Sequence, residues 1–258
     1  MSAVSVSREG SLAVVTLAAP PLNLFTEDVF AGYEAAIDDL SADPPRGVLL
    51  RAEGKVVSGG VDVKVFDAVE SVEEAGALWE RLLRVPHALE ALPCPTIFAA
   101  HGLCLTAAFE IALGCDLILA AESARFGLVE IVVGLTPAMG GTQRLVERAG
   151  PGRARELVMT GELFDAATLE RWNVVNRVLP DDGFDDAARA FAQRLADGPT
   201  RANAATKRLV RAALDDGVHA ADGLVPEVAG GLFGTEDLRN AVKSFLSEGP
   251  GKATYTGR

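Results

Sequence analysis

The sequence predicts an α/β protein with a largely parallel sheet, and three observations carry that prediction. Short apolar runs recur through the first two thirds of the chain. Longer segments with helically spaced apolar residues separate them. Past about residue 180 the runs stop and only amphipathic helical patterns remain. Runs of about four to eight apolar residues read as strands buried on both faces, and the helical segments between them are the crossovers that parallel strands need.

In chain order, residues 11–19 (SLAVVTLAA) read as a strand, 27–43 (EDVFAGYEAAIDDLSAD) as a helix and 47–54 (GVLLRAEG) as a strand. A helix is expected over roughly 72–92, a strand over 96–102 (TIFAAHG), a helix around Glu110 and a strand over 115–123 (CDLILAAES). The last third gives helices at 185–198, 200–217 and 235–249, with Asp or Thr near their starts and Gly at their ends. There is no fixed-period repeat, low-complexity tract or long linker, so two modules would pack closely.

The 258 residues are 49% hydrophobic and 23% charged, which fits a globular protein and excludes disorder as the main state. A formal net charge of -12 argues against nucleic acid or an anionic membrane surface as the main partner, since both call for a basic face. A small anionic ligand would need local cations, and Arg51, Lys55 and Lys64 cluster around one Gly-rich loop. The N-terminal segment lacks a basic start followed by a long apolar stretch, and no window approaches a membrane span, so a cytoplasmic protein is expected. Cys94, Cys104 and Cys115 lie in apolar settings without a CxxC pair and read as buried, reduced thiols. His87, His101 and His219 do not repeat at ligand spacing, so no metal site is expected.

Four stretches are candidates for chemistry. In RAEGKVVSGGVDVKVF (51–66) a strand runs into a Gly-Gly turn, which either forms a simple surface turn at Gly59 and Gly60 or frees backbone N–H groups for a ligand. In LTAAFEIALGCD (105–116), Thr106 reads as the helix N-cap, leaving the amides of Ala107 and Ala108 without intrahelical acceptors. Glu110 follows Ala107 by one helical turn on the same face, in an otherwise apolar run. Burial of a carboxylate is costly, so Glu110 is either tied to a backbone group or an arginine, or it serves the site. Glu130, in GLVEIVVGL (127–135), poses the same alternatives: desolvation would let it hold a proton near neutral pH, while ion-pair networks also bury carboxylates. PAMGGTQRL (137–145) reads as a loop-to-helix junction capped by Thr142. His101 reads as a turn residue, and Cys104, flanked by Leu103 and Leu105, as an inert thiol. No GxGxxG or Walker-type sequence is present.

SGGVDVK, HGLCLTAAFEIALGCDLILAAESARFGLVEIVVGLTPAMGGTQRL and the terminal FLSEGPGKATYTGR together resemble the crotonase, or enoyl-CoA hydratase/isomerase, superfamily, from about Val14 to Arg258. The resemblance implies a crotonase-like spiral of ββα units over residues 1–195 and a C-terminal helical trimerisation region over 196–258, assembled as a homotrimer or a dimer of trimers. It implies an acyl-CoA thioester as substrate, with coenzyme A part of that substrate and no separate cofactor or metal. The amides of Val61 and Ala107 would form the oxyanion hole, and Glu110 and Glu130 would be the catalytic acids. Gly59, Gly60, Asp62, Val63, Lys64 and Ala138 would line the substrate site.

The implied reaction is reversible addition of water to a 2-enoyl-CoA. The alternatives are an enoyl-CoA isomerase of the same fold and a non-catalytic acyl-CoA-binding protein, with a thioesterase using Cys104 or His101 behind both. The chain departs from the superfamily pattern at several points. Thr106-Ala107-Ala108 stands where a Gly-Gly-Gly run is common, Val61 where Ala is usual and Val57 where Phe is usual. Ala138 replaces a frequent Gly and His101 a frequent Asn. These changes reshape the pocket around the thioester.

Overall fold

The computed structural model describes residues 3–258. The first two residues of the expected core region lie outside them. Two sheets organise the chain. The larger has six strands: β1 (Val4–Glu9), β2 (Leu12–Leu17), β3 (Gly47–Ala52), β4 (Thr96–Ala100), β6 (Leu117–Ala121) and β9 (Arg177–Leu179). Within this sheet only the β1–β2 hairpin is antiparallel, and every other pairing is parallel. The central strands are buried on both faces, with all five residues of β4 inside, as their unbroken apolar runs require. The smaller sheet joins β5 (Leu103–Leu105), β7 (Arg125–Gly127) and β8 (Phe164–Asp165).

The helices follow the expected spacing. Helix α1 (Glu27–Ala42) starts at Thr26, whose side chain accepts from Val29 N, and α3 (Val72–Ala91) starts at Ser71, which accepts from Glu74 N. Between them α2 (Lys64–Asp67) makes a single turn. Helix α4 (Ala107–Leu113) follows β5, and α5 (Gly141–Thr160), broken at Gly150, follows β7 through a 3₁₀ turn over Glu130–Val133. Thus β4-β5-α4 and β6-β7-α5 are successive ββα units, each giving one strand to each sheet before its helix. After β8 come α6 (Ala166–Arg171), β9 and α7 (Phe184–Ala196), which packs on β2, β3 and β4. The C-terminal helices are α8 (Thr200–Asp216), α9 (Val218–Gly231) and α10 (Glu236–Glu248). Core side chains such as Phe98 and Phe126 are almost fully buried, each contributing about 1.5–3 kcal/mol.

The sequence pattern missed the short α2, β5, β7, β8, α6 and β9, and two longer elements for physical reasons. Strand β1 is mostly exposed, so it lacks an apolar run. Helix α9 carries Gly223, Pro226, Gly230 and Gly231, which blur its periodicity. The expected cap at Thr142 is wrong: α5 begins at Gly141 behind Gly140 in the left-handed region, and the Thr142 hydroxyl is buried without a partner among the described residues.

Candidate active site

The small sheet brings the candidate residues into register. Ser58 bridges Cys104 in parallel, and Cys104 pairs with Phe126 in parallel. Three residues beyond Ser58 and Cys104 lie Val61 and Ala107; four beyond Phe126 lies Glu130. Three segments far apart in sequence therefore leave the sheet side by side and in the same direction.

The first segment is the Gly-Gly turn, whose amides are nearly all occupied. Ser58 N donates to Leu103 O, Gly59 N to Leu22 O, Gly60 N to Ser58 Oγ, Asp62 N to Phe25 O and Lys64 N to Asp62 Oδ1. The Val61 and Val63 N–H groups have no acceptor among the described residues, and Val63 is an outlying, 59% exposed residue. Gly60 O and Asp62 N both bond Phe25, so the Val61 N–H projects away from Phe25, as the alternation of a parallel bridge demands. Gly59 and Gly60 supply room rather than donors. Gly60 holds φ +109°, and a Cβ there would meet Thr106 Oγ1 at 3.1 Å, so glycine is required on both counts. Asn23, missed in the sequence reading, fastens this turn from behind: its Nδ2 donates to Glu53 O and Val56 O, and its own carbonyl accepts from Ser58 Oγ.

The second segment is the β5–α4 junction. Thr106 precedes the helix as expected but does not cap it: its backbone sits at φ 47°, ψ -122°, and its side chain makes no cap hydrogen bond. Thr106 N donates to Gly127 O, and Glu110 N donates to Thr106 O. The Ala107 N–H, in the first turn, has no intrahelical acceptor. Because α4 has only seven residues, it is this individual N–H group, rather than a long helix dipole, that can polarise a ligand.

Both glutamates are buried, Glu110 at 2% exposure and Glu130 at 8%. Glu110 Oε2 accepts from Met139 N and Gly141 N, each at 2.8 Å. The GGT stretch is thus more than a junction, and the glycine before Thr142 was the available signal: a Cβ on Gly141 would lie 2.8 Å from Glu110 Cγ. Burial first, and then the charge of Glu130, push the Glu110 carboxyl up to about 8, against the two amides and the Arg144 charge. Arg144 is itself buried and bonds Glu90 through both Nε and Nη2. Burial likewise pushes Glu130 up to about 7, and its Oε2 is buried with no hydrogen-bond partner among the described residues.

The remaining candidates lie apart from this chemistry. Arg51 does not serve the Gly-rich loop as expected: it pairs with Asp185 and Glu53, while Lys55 and Lys64 are exposed. His101 Nε2 donates to Gly54 O at 3.0 Å, and burial pushes the Cys104 thiol up, away from thiolate chemistry. Val57 is buried in the core and Ala138 is half-buried. A cavity of about 570 Å³ opens beyond the C-terminal end of α4, against α5 and α8; Glu90, the partner of Arg144, lines it, and neither glutamate of the pair nor Val61 nor Ala107 does.

The family model described as Enoyl-CoA hydratase/isomerase matches residues 7–255. The relative "Probable enoyl-CoA hydratase echA8" from Mycobacterium bovis is 31% identical over 249 residues, covering 95% of each chain. "Probable enoyl-CoA hydratase" from Rhizobium meliloti is 32% identical over 247 residues, covering 94% of each. Among solved structures, an enoyl-CoA hydratase from Mycobacterium smegmatis superposes with TM-score 0.89 at 27% identity, covering 95% of this chain and 96% of that one. One from Bacillus anthracis gives TM-score 0.91 at 25% identity, covering 99% and 100%.

Proposed function

This chain belongs to the enoyl-CoA hydratase/isomerase family, and from that premise we propose that it adds water reversibly to the double bond of a 2-enoyl-CoA thioester. The observation that carries this reading is a pair of buried glutamates from separate elements, both with raised pKa values, one of them sensing the charge of the other. Near neutral pH such a pair holds a proton in one carboxyl while the other is ionised, which is what concerted addition of water requires.

In this mechanism the thioester oxygen accepts from the Val61 and Ala107 amides. Preorganised donors of this kind are worth about 3 kcal/mol each toward the developing enolate. Charge drawn to that oxygen makes the β-carbon electrophilic. Glu110 and Glu130 position a water molecule and take one of its protons as its oxygen bonds the β-carbon. The π electrons pass to the enolate, and Glu130 delivers a proton to the α-carbon; the pair ends with as many protons as it began. Glu130 suits delivery because its Oε2 is tied to nothing. Glu110 suits positioning because its Oε2 is fixed by two amides, leaving Oε1 to hydrogen-bond the water.

Gly59, Gly60, Asp62, Val63, Lys64 and Ala138 would line the substrate path, and no separate cofactor or metal enters the reaction. Three free, buried cysteines fit a reducing compartment and support a cytoplasmic location. A homotrimer or dimer of trimers is the assembly this reading expects, with the exposed Phe233 and Leu246 of the C-terminal region available to be covered in it.

The test is crotonyl-CoA in water enriched in oxygen-18. Hydration yields a product heavier by one labelled water molecule, with the label on the β-carbon. An unchanged mass with a shifted double bond in a longer enoyl-CoA indicates isomerase instead, release of free thiol a thioesterase, and binding without turnover a carrier.

A further inference from the structure

Thr106 combines three features that packing alone does not explain. Its backbone lies at φ 47°, where a β-branched side chain is strained and glycine would sit freely. It is 94% buried, being 6% exposed, and its Oγ1 has no hydrogen-bond partner among the described residues. Finally, the space a Gly60 side chain would occupy is filled by that same Oγ1, at 3.1 Å. The hydroxyl therefore lies against the turn that carries the Val61 N–H, on the residue next to Ala107, whose N–H is the other amide assigned above to the thioester oxygen.

A buried hydroxyl with one donor and two acceptor sites unfilled is normally satisfied by water or a ligand. Here the acceptor groups nearby are already engaged: Gly60 O accepts from Phe25 N, and Thr106 O accepts from Glu110 N. The hydroxyl is thus left to donate to a group that enters the site beside the two amides. We propose that Thr106 Oγ1 is a third hydrogen-bond donor at the thioester oxygen. This rests on the acyl-CoA reading of the same site. It makes the polarising site part side chain, so that one substitution can weaken it without moving the backbone.

The experiment compares Thr106→Val, which keeps the branched shape and removes the hydroxyl, with Thr106→Ser, which keeps the hydroxyl. Two quantities are read: kcat and KM for crotonyl-CoA, and the infrared carbonyl stretch of bound butyryl-CoA labelled with carbon-13 at the thioester. Butyryl-CoA has no double bond, so its carbonyl reports polarisation whether or not the protein hydrates anything.

The expected result is that T106V loses about 10²-fold in kcat with KM near the wild-type value, the magnitude of one lost donor. Its bound carbonyl stretch moves back toward the frequency of free butyryl-CoA, while T106S retains both the wild-type frequency and most of the rate. If T106V does not fold, T106A is read in its place against T106S. A stretch unmoved in T106V overturns the proposal, as does an equal loss in T106S and T106V, which is the signature of packing. A wild type that shifts the butyryl-CoA stretch but hydrates no enoyl-CoA overturns the hydratase reading and leaves this donor standing. A wild type that binds no butyryl-CoA overturns both.

Discussion

Glu110 sits on the first turn of a seven-residue helix with one oxygen tied to two amides, whereas Glu130 opens a 3₁₀ turn and keeps an oxygen with no partner. Both are buried, and burial lifts both from the ordinary 4.5, yet their surroundings assign them different work. A carboxyl pinned by two N–H donors is held in one orientation and can position the water. A buried carboxyl that keeps one oxygen without a partner is the better proton carrier, because that oxygen is open to the substrate. The pair shows that desolvation is the largest cause of both raised pKa values, while the hydrogen-bond partners decide which role the group can take.

The sharpest way to break this contrast is to neutralise the carrier. Glu130→Gln keeps the shape and removes the exchangeable proton, and turnover of crotonyl-CoA should fall by about 10²–10⁴-fold while the Kd of butyryl-CoA, read by calorimetry, hardly moves. Glu110→Gln should cost less, about 10²-fold in kcat, since its amide oxygen can still accept from Met139 and Gly141 and only the water loses an acceptor. Equal losses in the two variants would erase the distinction.

Gly141→Ala probes the pinning directly. A glycine in an α-helix is ordinarily improved by alanine, by about 0.5–1 kcal/mol. Here the new methyl would lie 2.8 Å from Glu110 Cγ and 3.0 Å from its Oε2, so the sign should reverse, with a loss of about 1–3 kcal/mol in chemical denaturation and a fall in activity.

The contrast also bears on pH-dependent stability. With Glu110 raised from 4.5 to about 8, the folded state binds the proton more tightly than the unfolded state, so this group's contribution to stability declines as pH climbs through that window. Glu110→Gln has no such proton to lose. The Tm of the variant minus that of the wild type should therefore increase between about pH 5 and pH 9; a flat difference would mean that Glu110 is ionised throughout.

The sequence revealed the central parallel strands β2, β3, β4 and β6 because their apolar runs are long and doubly buried, as in β4, and it revealed the longer amphipathic helices. It hid β1, which is largely exposed, and α9, whose glycines and proline dilute its period. At the site, the apolar flanks of Glu110 and Glu130 announced two carboxylates in need of an explanation. The partners of Glu110 stayed invisible because they are backbone amides, which carry no side-chain signature. The same holds for the Asn23 suture behind the Gly-Gly turn, and for Thr106, whose residue type suggested a helix cap while its backbone took a conformation that makes capping impossible.

The most direct test of a proton shared by two buried carboxyls is a carbon-13 NMR titration of the glutamate side-chain carboxyls in the wild type and in Glu130→Gln. The account predicts two wild-type resonances that titrate near neutral pH, at about 7 and about 8, and a Glu110 midpoint that drops in E130Q once the neighbouring charge is gone. Two resonances titrating near 4.5, or a Glu110 midpoint indifferent to E130Q, would contradict it.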